Sequence, residues 1–291
     1  MKFSTPAGPN PIDALTIVGH PHARVEGALK TTGKAPYAYE HHEGLGNVAY
    51  GALVVAGIAK GKVKSIDTKA ARAAPGVVTV VTADNAGDLG KGRFNTVPLL
   101  GGPQVTHYHQ ALAVVVAETF EQARHAAGLV QVTYEREAGH FDLEAAHEVA
   151  ELVADPYAAP ADKEHRIGSF EDAFQAAPVS LDAEYATPDH SHAMMEPFAT
   201  IARWDGDALT VWTSNQMIDW CRTDLAHTLK MPKDKVRFMS PYVGGGFGGK
   251  LFLRADALMA ALGAKAAGRP VKVAMARPLM INNATHRPAT R

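Results

Sequence analysis

The chain has 291 residues, 46% of them hydrophobic and 20% charged, with a formal net charge of -1. That length allows one large or two modest domains, and a charge so near zero gives no basis for a nucleic-acid or anionic-membrane partner. The single cysteine, Cys221, permits neither an intrachain disulfide nor an iron–sulfur cluster, and no apolar run is long enough to span a bilayer. The N-terminal MKFSTPAGPNPIDAL lacks the apolar core of a secretory signal. The expected compartment is the cytoplasm, or the periplasm by co-export with a signal-bearing partner subunit.

Residues 1–45 are rich in Pro, Gly and His and read as an extended arm over a domain. His20, His22, His41 and His42 lie in turn-like sequence without ligand spacing, which favours a solvated surface over a metal site. Residues 46–140 then alternate strands and helices. Strands are expected at Ala49–Ala56, Val63–Asp67, Val77–Thr82, Ala111–Ala117 and Val132–Tyr134. Helices are expected at Thr68–Ala74 and Thr119–Val130, the second with the small residues Ala123, Ala126 and Ala127 on one face for close packing on a sheet. Nothing in this block has catalytic spacing, so it reads as a scaffold. Periodicity fades over 141–167, where prolines and mixed charge suggest a linker with a short helix near Leu143–Val153.

The last segment, 168–291, opens on a short helix capped by Ser169. Val179–Tyr185, Phe198–Trp204 and Ala208–Thr213 read as strands, the last two joined by a hairpin at Asp205-Gly206-Asp207. Between the first two lie His190, His192 and Glu196, which could be metal ligands but serve as easily as a hydrogen-bonded support. Glu196 reads as that support, with a catalytic carboxylate as the alternative. Gln216 follows a strand end and precedes a helix, Met217–Lys230; a strand end is where α/β proteins place ligand contacts.

Val236–Gly268 carries the most distinctive pattern. A strand, Val236–Met239, stops before Pro241; five glycines then surround Phe247, and helical spacing runs from Leu251 to Ala267. Strand, glycine loop and helix would place bare N–H groups where an anion can bind. Gly244-x4-Gly249-Lys250 imitates a P-loop, but Leu251 stands where a magnesium-binding hydroxyl belongs. Gly244-x-Gly246-x-x-Gly249 imitates a dinucleotide fingerprint, although Arg277 after the next strand, Val271–Met275, would suit only NADP. A glycine turn that merely packs a helix close is the third reading. The glycine density and an apparently buried Phe247 favour a backbone that a ligand approaches closely.

The sequence VGGGFGGK before a long helix resembles the cofactor loop of the molybdenum subunit in the xanthine dehydrogenase/aldehyde oxidase family. Other blocks agree in order. Arg24-Val25-Glu26-Gly27 with Thr32-Gly33-Lys34-Ala35 resembles the family's entry motif, Glu26 replacing the usual Asp. Pro75-Gly76-Val77, with Ala117-Glu118-Thr119 running to Gln122-Ala123-Arg124, resembles its α/β hammerhead domain. Met195-Glu196-Pro197 also matches. The resemblance implies an α+β chain: an α/β hammerhead domain followed by the first part of a molybdenum-cofactor-binding domain. It implies that Gly246, Phe247 and Gly248 contact the molybdenum–pterin cofactor, in its molybdopterin or cytosine dinucleotide form. It also implies that Gln216 hydrogen-bonds an oxo ligand of the metal. Molybdenum is held by the pterin dithiolene, so no protein metal ligand is expected.

The xanthine-oxidising branch has an acidic residue after Gly-Gly-Lys, where this chain has Leu251. An apolar group there argues for a less polar aldehyde. His107-Tyr108-His109-Gln110, Asn215–Asp224 and the tail Asn282-Asn283-Ala284-Thr285-His286-Arg287-Pro288 resemble the bacterial periplasmic-type aldehyde oxidoreductases. The family's general-base glutamate sits in a Gly-Glu-x-Gly setting that these residues lack, so the chain is expected to be a fragment or one piece of a split subunit, inactive alone. The implied activity is oxidation of aldehydes to carboxylic acids with water as oxygen source. The implied partners are an iron–sulfur subunit, an FAD subunit and the remaining part of the molybdenum subunit. A non-catalytic assembly module and an NADP-binding protein are the alternatives.

Overall fold

The computed structural model describes residues 8, 10, 14–95, 98–139, 141–146, 167–285 and 287–291. In chain order the elements are α1 (Gly27–Thr31), β1 (Ala49–Val55), β2 (Gly61–Asp67), α2 (Lys69–Ala73), β3 (Val77–Thr82), β4 (Gln104–Val105), β5 (Ala111–Ala117), α3 (Phe120–Gly128) and β6 (Gln131–Arg136). Then follow α4 (Leu143–Ala146), α5 (Phe170–Ala176), β7 (Ala199–Asp205), β8 (Ala208–Thr213), α6 (Ile218–Thr228), β9 (Val236–Met239), α7 (Ala255–Ala267), β10 (Val271–Ala274) and α8 (Arg277–Asn282). Ser169 caps α5 as expected, its hydroxyl accepting from Asp172 N. Thr119 and Gln122 form a full capping box at the start of α3.

Seven strands form one sheet in the order β3-β5-β1-β10-β7-β8-β9, and β4-β2-β6 form a small second sheet. The large sheet joins residues from both sides of segment 141–167. Its seam is the parallel pairing of β1 with β10, in the register Ala49↔Val271 and Gly51↔Val273. Both faces are covered near that seam. Val114 and Val116 of β5 pack with α7, while Ala113 and Val115 pack with residues of α2 and α3. A strand covered on both faces has to be apolar throughout, which explains the unbroken ALAVVVA of β5.

Helix α7 carries the core. Ten of its residues, Ala255 through Ala264, are buried, so it shows no polar stripe. Small side chains bring it close to the sheet, and Trp204 Nε1 donates to Ala261 O at 2.9 Å. It ends at Gly268, whose φ of 65° is the left-handed cap that glycine adopts without strain.

Five features depart from the sequence reading. The helix expected from Leu251 begins at Ala255, so an irregular stretch separates the last loop glycine from the first helical turn. Val179–Tyr185 is not a strand. Its alternating Val179, Leu181 and Tyr185 are exposed, and only isolated bridges, Thr187↔Thr290 and His190↔Arg287, follow it. Alternation sets a face, but a strand also needs a neighbour for its N–H and C=O groups, and none lies beside it among the described residues. Helix α8 and the two-residue β4 were not foreseen. The arm contains α1, and its Ala35, Ala38 and Leu45 are buried. Of the arm's histidines, His20, His22 and His42 are exposed as expected, and His41 alone is half-buried. His42 Nδ1 shares a contact of 3.1 Å with Lys272 Nζ, and the His41 ring lies 6.1 Å from that of Trp212, where burial lowers its pKa. The helix expected near Leu143–Val153 is seen as α4; its remainder lies outside the described residues.

The seam gives a direct test. A Cβ on Gly51 would stand 2.7 Å from Val273 Cγ2 and 3.0 Å from Val114 Cγ2, both stiff β-branched side chains. Gly51→Val should therefore lower stability in urea unfolding by about 1–3 kcal/mol, the usual cost of overpacking, although valine favours strands elsewhere. An unchanged midpoint would contradict this packing.

Candidate functional site

The glycine loop runs from β9 to α7 and is closed at its stem by one carboxylate. Glu196 Oε2 accepts from Gly244 N at 2.7 Å, from Lys250 Nζ at 2.7 Å and from the Ser214 hydroxyl. Lys250 Nζ also donates to Ser214 Oγ at 2.8 Å. The backbone adds Glu196 N to Gly244 O at 3.1 Å. Lys250 is fully buried, and burial lowers its pKa against the opposing pull of Glu196. Both ends of the loop, Gly244 and Lys250, are thus fastened to the residue just before the strand β7.

Inside the clamp the backbone turns sharply. Gly249 N donates to Gly246 O at 2.7 Å, and Gly245, Phe247 and Gly248 have φ of 90°, 51° and 92°. A phenylalanine in that region is strained, and such strain gathers at ligand-holding sites. Phe247 is 74% exposed, which corrects the expectation of a buried ring: the turn lifts it out of the protein instead of burying it. The glycines let neighbours approach. A Cβ on Gly246 would overlap the Gln216 amide, and one on Gly249 would fall 2.8 Å from Met194 Cε and 2.9 Å from His192 Cβ.

Gln216 lies beside the loop in a fixed pose. Its N–H donates to Lys250 O at 2.8 Å, and Lys250 N donates back to Gln216 Oε1 at 3.2 Å. A backbone N–H can only donate, so the oxygen is assigned, and among the described residues the Nε2 amide has no acceptor. The strand end that carries Gln216 is anchored by Asn215. Its N–H donates to Ser240 Oγ at 2.8 Å, and its Nδ2 donates to Cys221 Sγ at 3.0 Å. Burial pushes the Cys221 thiol up to about 12, and Sγ donates to Leu251 O at 3.2 Å, so this cysteine is a packing group rather than a nucleophile. Deeper still, Arg254 Nη2 donates to Ser214 O at 2.8 Å, its guanidinium lies 4.3 Å from the Phe198 ring, and Asp256 pairs with its Nε at 3.3 Å.

Gln216, Gly246, Phe247 and Gly248 are therefore brought together. The other candidates separate from one another. His192 packs under Gly248 and Gly249, His190 joins the bridge to Arg287, and Glu196 is committed to the clamp. Lys250, Ser214 and Arg254 were missed as site residues. The available signal was their charge: a lysine and an arginine just before a mostly apolar, buried helix have to be paired inside. The geometry also removes the phosphate readings. Lys250 is sealed against Glu196 and cannot meet a phosphate, and α7 starts too late for its N-terminal amides to continue the glycine loop.

A cavity of about 570 Å³ adjoins Gly249. Its apolar walls include Phe94, Leu99 and Tyr108 from the first segment and Phe252, Leu253 and Ile281 from the second. The Phe94 end of that wall is tied to α6 by Asp224, whose carboxylate accepts from Arg93 N at 2.7 Å and Phe94 N at 3.1 Å.

A sheet shared by two segments thus carries a glycine loop clamped beside a fixed glutamine, the frame of a two-part α+β fold. Residues 32–138 match the a/b hammerhead domain of aldehyde oxidase and xanthine dehydrogenase, and residues 153–291 match the molybdopterin cofactor-binding domain. The chain belongs to the aldehyde oxidase and xanthine dehydrogenase family. It is 60% identical over 290 residues to the aldehyde oxidoreductase molybdenum-binding subunit PaoC of Escherichia coli, covering 100% of this chain and 39% of that protein. It is 29% identical over 248 residues to the nicotinate dehydrogenase large molybdopterin subunit of Eubacterium barkeri, covering 81% of this chain and 56% of the relative. Quinoline 2-oxidoreductase from Pseudomonas putida superposes with a TM-score of 0.77 at 26% identity, over 91% of this chain and 35% of the other. The chain thus spans well under two thirds of the length of these relatives.

The clamp predicts an asymmetric mutational response. Lys250→Met should destabilise the fold by about 3–5 kcal/mol, because it strands the Glu196 carboxylate without its cation. Adding Glu196→Gln should recover part of that loss. Chemical denaturation measures both; a double variant no better than Lys250→Met would refute coupling.

Proposed function

We propose that Gln216, Gly246, Phe247 and Gly248 hold the molybdenum–pterin cofactor, and that the protein oxidises aldehydes to carboxylic acids. The observation that carries this is the apposition of a fixed, uncommitted Gln216 amide with a loop whose glycines leave the backbone bare. The residues present fit such a group: the amide can donate to an oxygen ligand, and the exposed Phe247 ring can cover its reactive face. The cofactor, when bound, supplies the two-electron redox chemistry. The chain's own residues orient it. Gln216 contributes a hydrogen bond whose direction Lys250 sets, and the Glu196 clamp keeps the loop from opening.

The overall reaction balances with water: an aldehyde and water give a carboxylic acid, two protons and two electrons. Those electrons pass to an iron–sulfur subunit and an FAD subunit. Glu196 is not the base in this scheme, since one oxygen already accepts from three donors and Oε1 is buried. The base is the glutamate that the family carries in the part of the subunit beyond these residues. An aldehyde fits better than a purine because Leu251 replaces an acidic partner and the cavity walls are largely apolar. An assembly role without turnover is the alternative, and activity separates the two.

The test is Gly246→Val in the enzyme co-produced with the rest of the subunit and its two electron-transfer partners. Loss of molybdenum content and of aldehyde-dependent dye reduction, with the sheet still folded by circular dichroism, is expected, because the branched side chain would displace Gln216. Normal molybdenum content would remove these residues from the cofactor site. Full molybdenum content without aldehyde turnover in the unmutated complex would favour the assembly role.

A further inference from the structure

Residues 167–190 are exposed at every position, although they include Ile167, Phe170, Phe174, Val179, Leu181 and Tyr185. Apolar surface gathered in one stretch in this way marks a place that another surface covers. From Val179 onward it is ordered. Val179, Leu181, Ala183 and Tyr185 alternate with Ser180, Asp182 and Glu184, the pattern of a strand with one face buried. Yet Val179 is 84% exposed, and Leu181 and Tyr185 are each 77% exposed, so that face is bare. The backbone is bare as well: among the described residues, 179–186 make no backbone hydrogen bond. Such an edge is a template for one more strand.

Pairing has already begun at one end of it. Thr187 and Thr290 exchange both backbone hydrogen bonds, at 2.9 and 3.2 Å, and His190 and Arg287 do the same at 3.0 and 3.1 Å. Both bridges are antiparallel and share one register. The side chains agree with it. The Thr187 and Thr290 hydroxyls meet at 2.6 Å, and Arg291 Nε donates to Glu184 Oε1 at 2.6 Å, a diagonal contact on one face. Each step forward from Thr290 is matched by a step back from Thr187. The first, third, fifth and seventh residues after Arg291 therefore stand opposite Tyr185, Ala183, Leu181 and Val179. The chain covers 39% of PaoC at 60% identity, and a subunit of that relative's length supplies such residues.

We propose that Val179–Tyr185 is the docking edge for the stretch of the subunit directly after Arg291, which adds to it as an antiparallel strand in the register set by Thr187 and Thr290. The occupant is an extended segment with apolar side chains at the positions facing Tyr185, Leu181 and Val179. Its backbone fills the open hydrogen bonds, and its alternate side chains stand beside the bare apolar row. A second copy of the chain fits less well. The register is already started by residues of the same chain, and continuing it closes no new loop. The added strand lengthens a ladder that ends just before His192, the side chain beneath Gly248 and Gly249. The proposal does not depend on which cofactor or substrate the glycine loop serves.

The complete subunit, produced with its partners, tests this by two measurements. In hydrogen exchange of the unmutated protein, the amides of Leu181, Ala183 and Tyr185 should exchange about tenfold or more slowly than in an unstructured peptide, because in this register they face the added strand. Free exchange at all three overturns the proposal. The second measurement is a disulfide. Asp182 lies opposite the fourth residue after Arg291, at a position between the hydrogen-bonded pairs, where Cα atoms stand about 4.5 Å apart and a disulfide can close. Asp182→Cys combined with a cysteine at that fourth position should cross-link within one chain. A cysteine one position earlier or later should not, since a slip of one residue turns its side chain to the other face. A bond at a neighbouring position, or at none of the three, overturns the register. A bond between two chains, seen as a dimer on a non-reducing gel, gives the edge to a second copy and overturns the proposal. Neither measurement reads molybdenum or turnover, so failure here leaves the cofactor assignment standing.

Discussion

The structure around the site depends on one buried ion pair. Glu196 and Lys250 are 54 residues apart in sequence, yet their side chains meet at 2.7 Å beneath the glycine loop. Burying two charges is costly, and it is tolerated because Glu196 Oε2 accepts three hydrogen bonds, Lys250 Nζ among the donors. Gly244 N and the Ser214 hydroxyl donate to the same oxygen, Oε2. The result is a loop with rigid ends and a bare centre. Rigid ends set where Gly246 and Phe247 stand, and the bare centre lets the Gln216 amide lie against the backbone. Lys250 serves both parts, since its side chain closes the clamp and its backbone N–H fixes the glutamine.

That clamp works only because the sheet delivers its parts to one place. Glu196 precedes β7, Ser214 and Gln216 follow β8, and the loop follows β9. These three strands are neighbours in the sheet, with β8 and β9 parallel, so their ends converge. Helix α7 returns beneath the sheet, and the chain then adds β10 between β7 and β1. This insertion couples the first segment to the site. It is why Phe94 and Tyr108, far earlier in sequence, line a cavity that also touches Gly249 and Ile281.

Much of this was legible beforehand. Strands Val77–Thr82, Ala111–Ala117, Ala208–Thr213 and Val236–Met239 have the bounds read from the sequence, because turn residues and prolines mark their ends sharply. The grouping of Gln216 with the glycine loop was legible through family resemblance. Other features were misread for physical reasons. Phe247 looked buried because aromatic residues between glycines usually pack inside, but its positive φ turns it outward. The start of α7 was set too early because Phe252 and Leu253 continue the helical spacing, although they line the cavity wall. Val179–Tyr185 alternates like a strand but has no neighbour to complete its ladder among the described residues.

The sequence by itself determined the bounds of several strands, the mostly apolar run of α7, the glycine-rich turn and the family. These are set by spacing and by residues adjacent in the chain, which side-chain chemistry alone can constrain. Only the tertiary structure decided that Lys250 is a sealed structural cation and not a phosphate ligand, that Glu196 is its partner, and that Tyr108 and Ile281 line one cavity. Each of those depends on which strands lie side by side. Strand order follows from the total burial of the sheet and α7, a sum over distant residues that no local pattern contains.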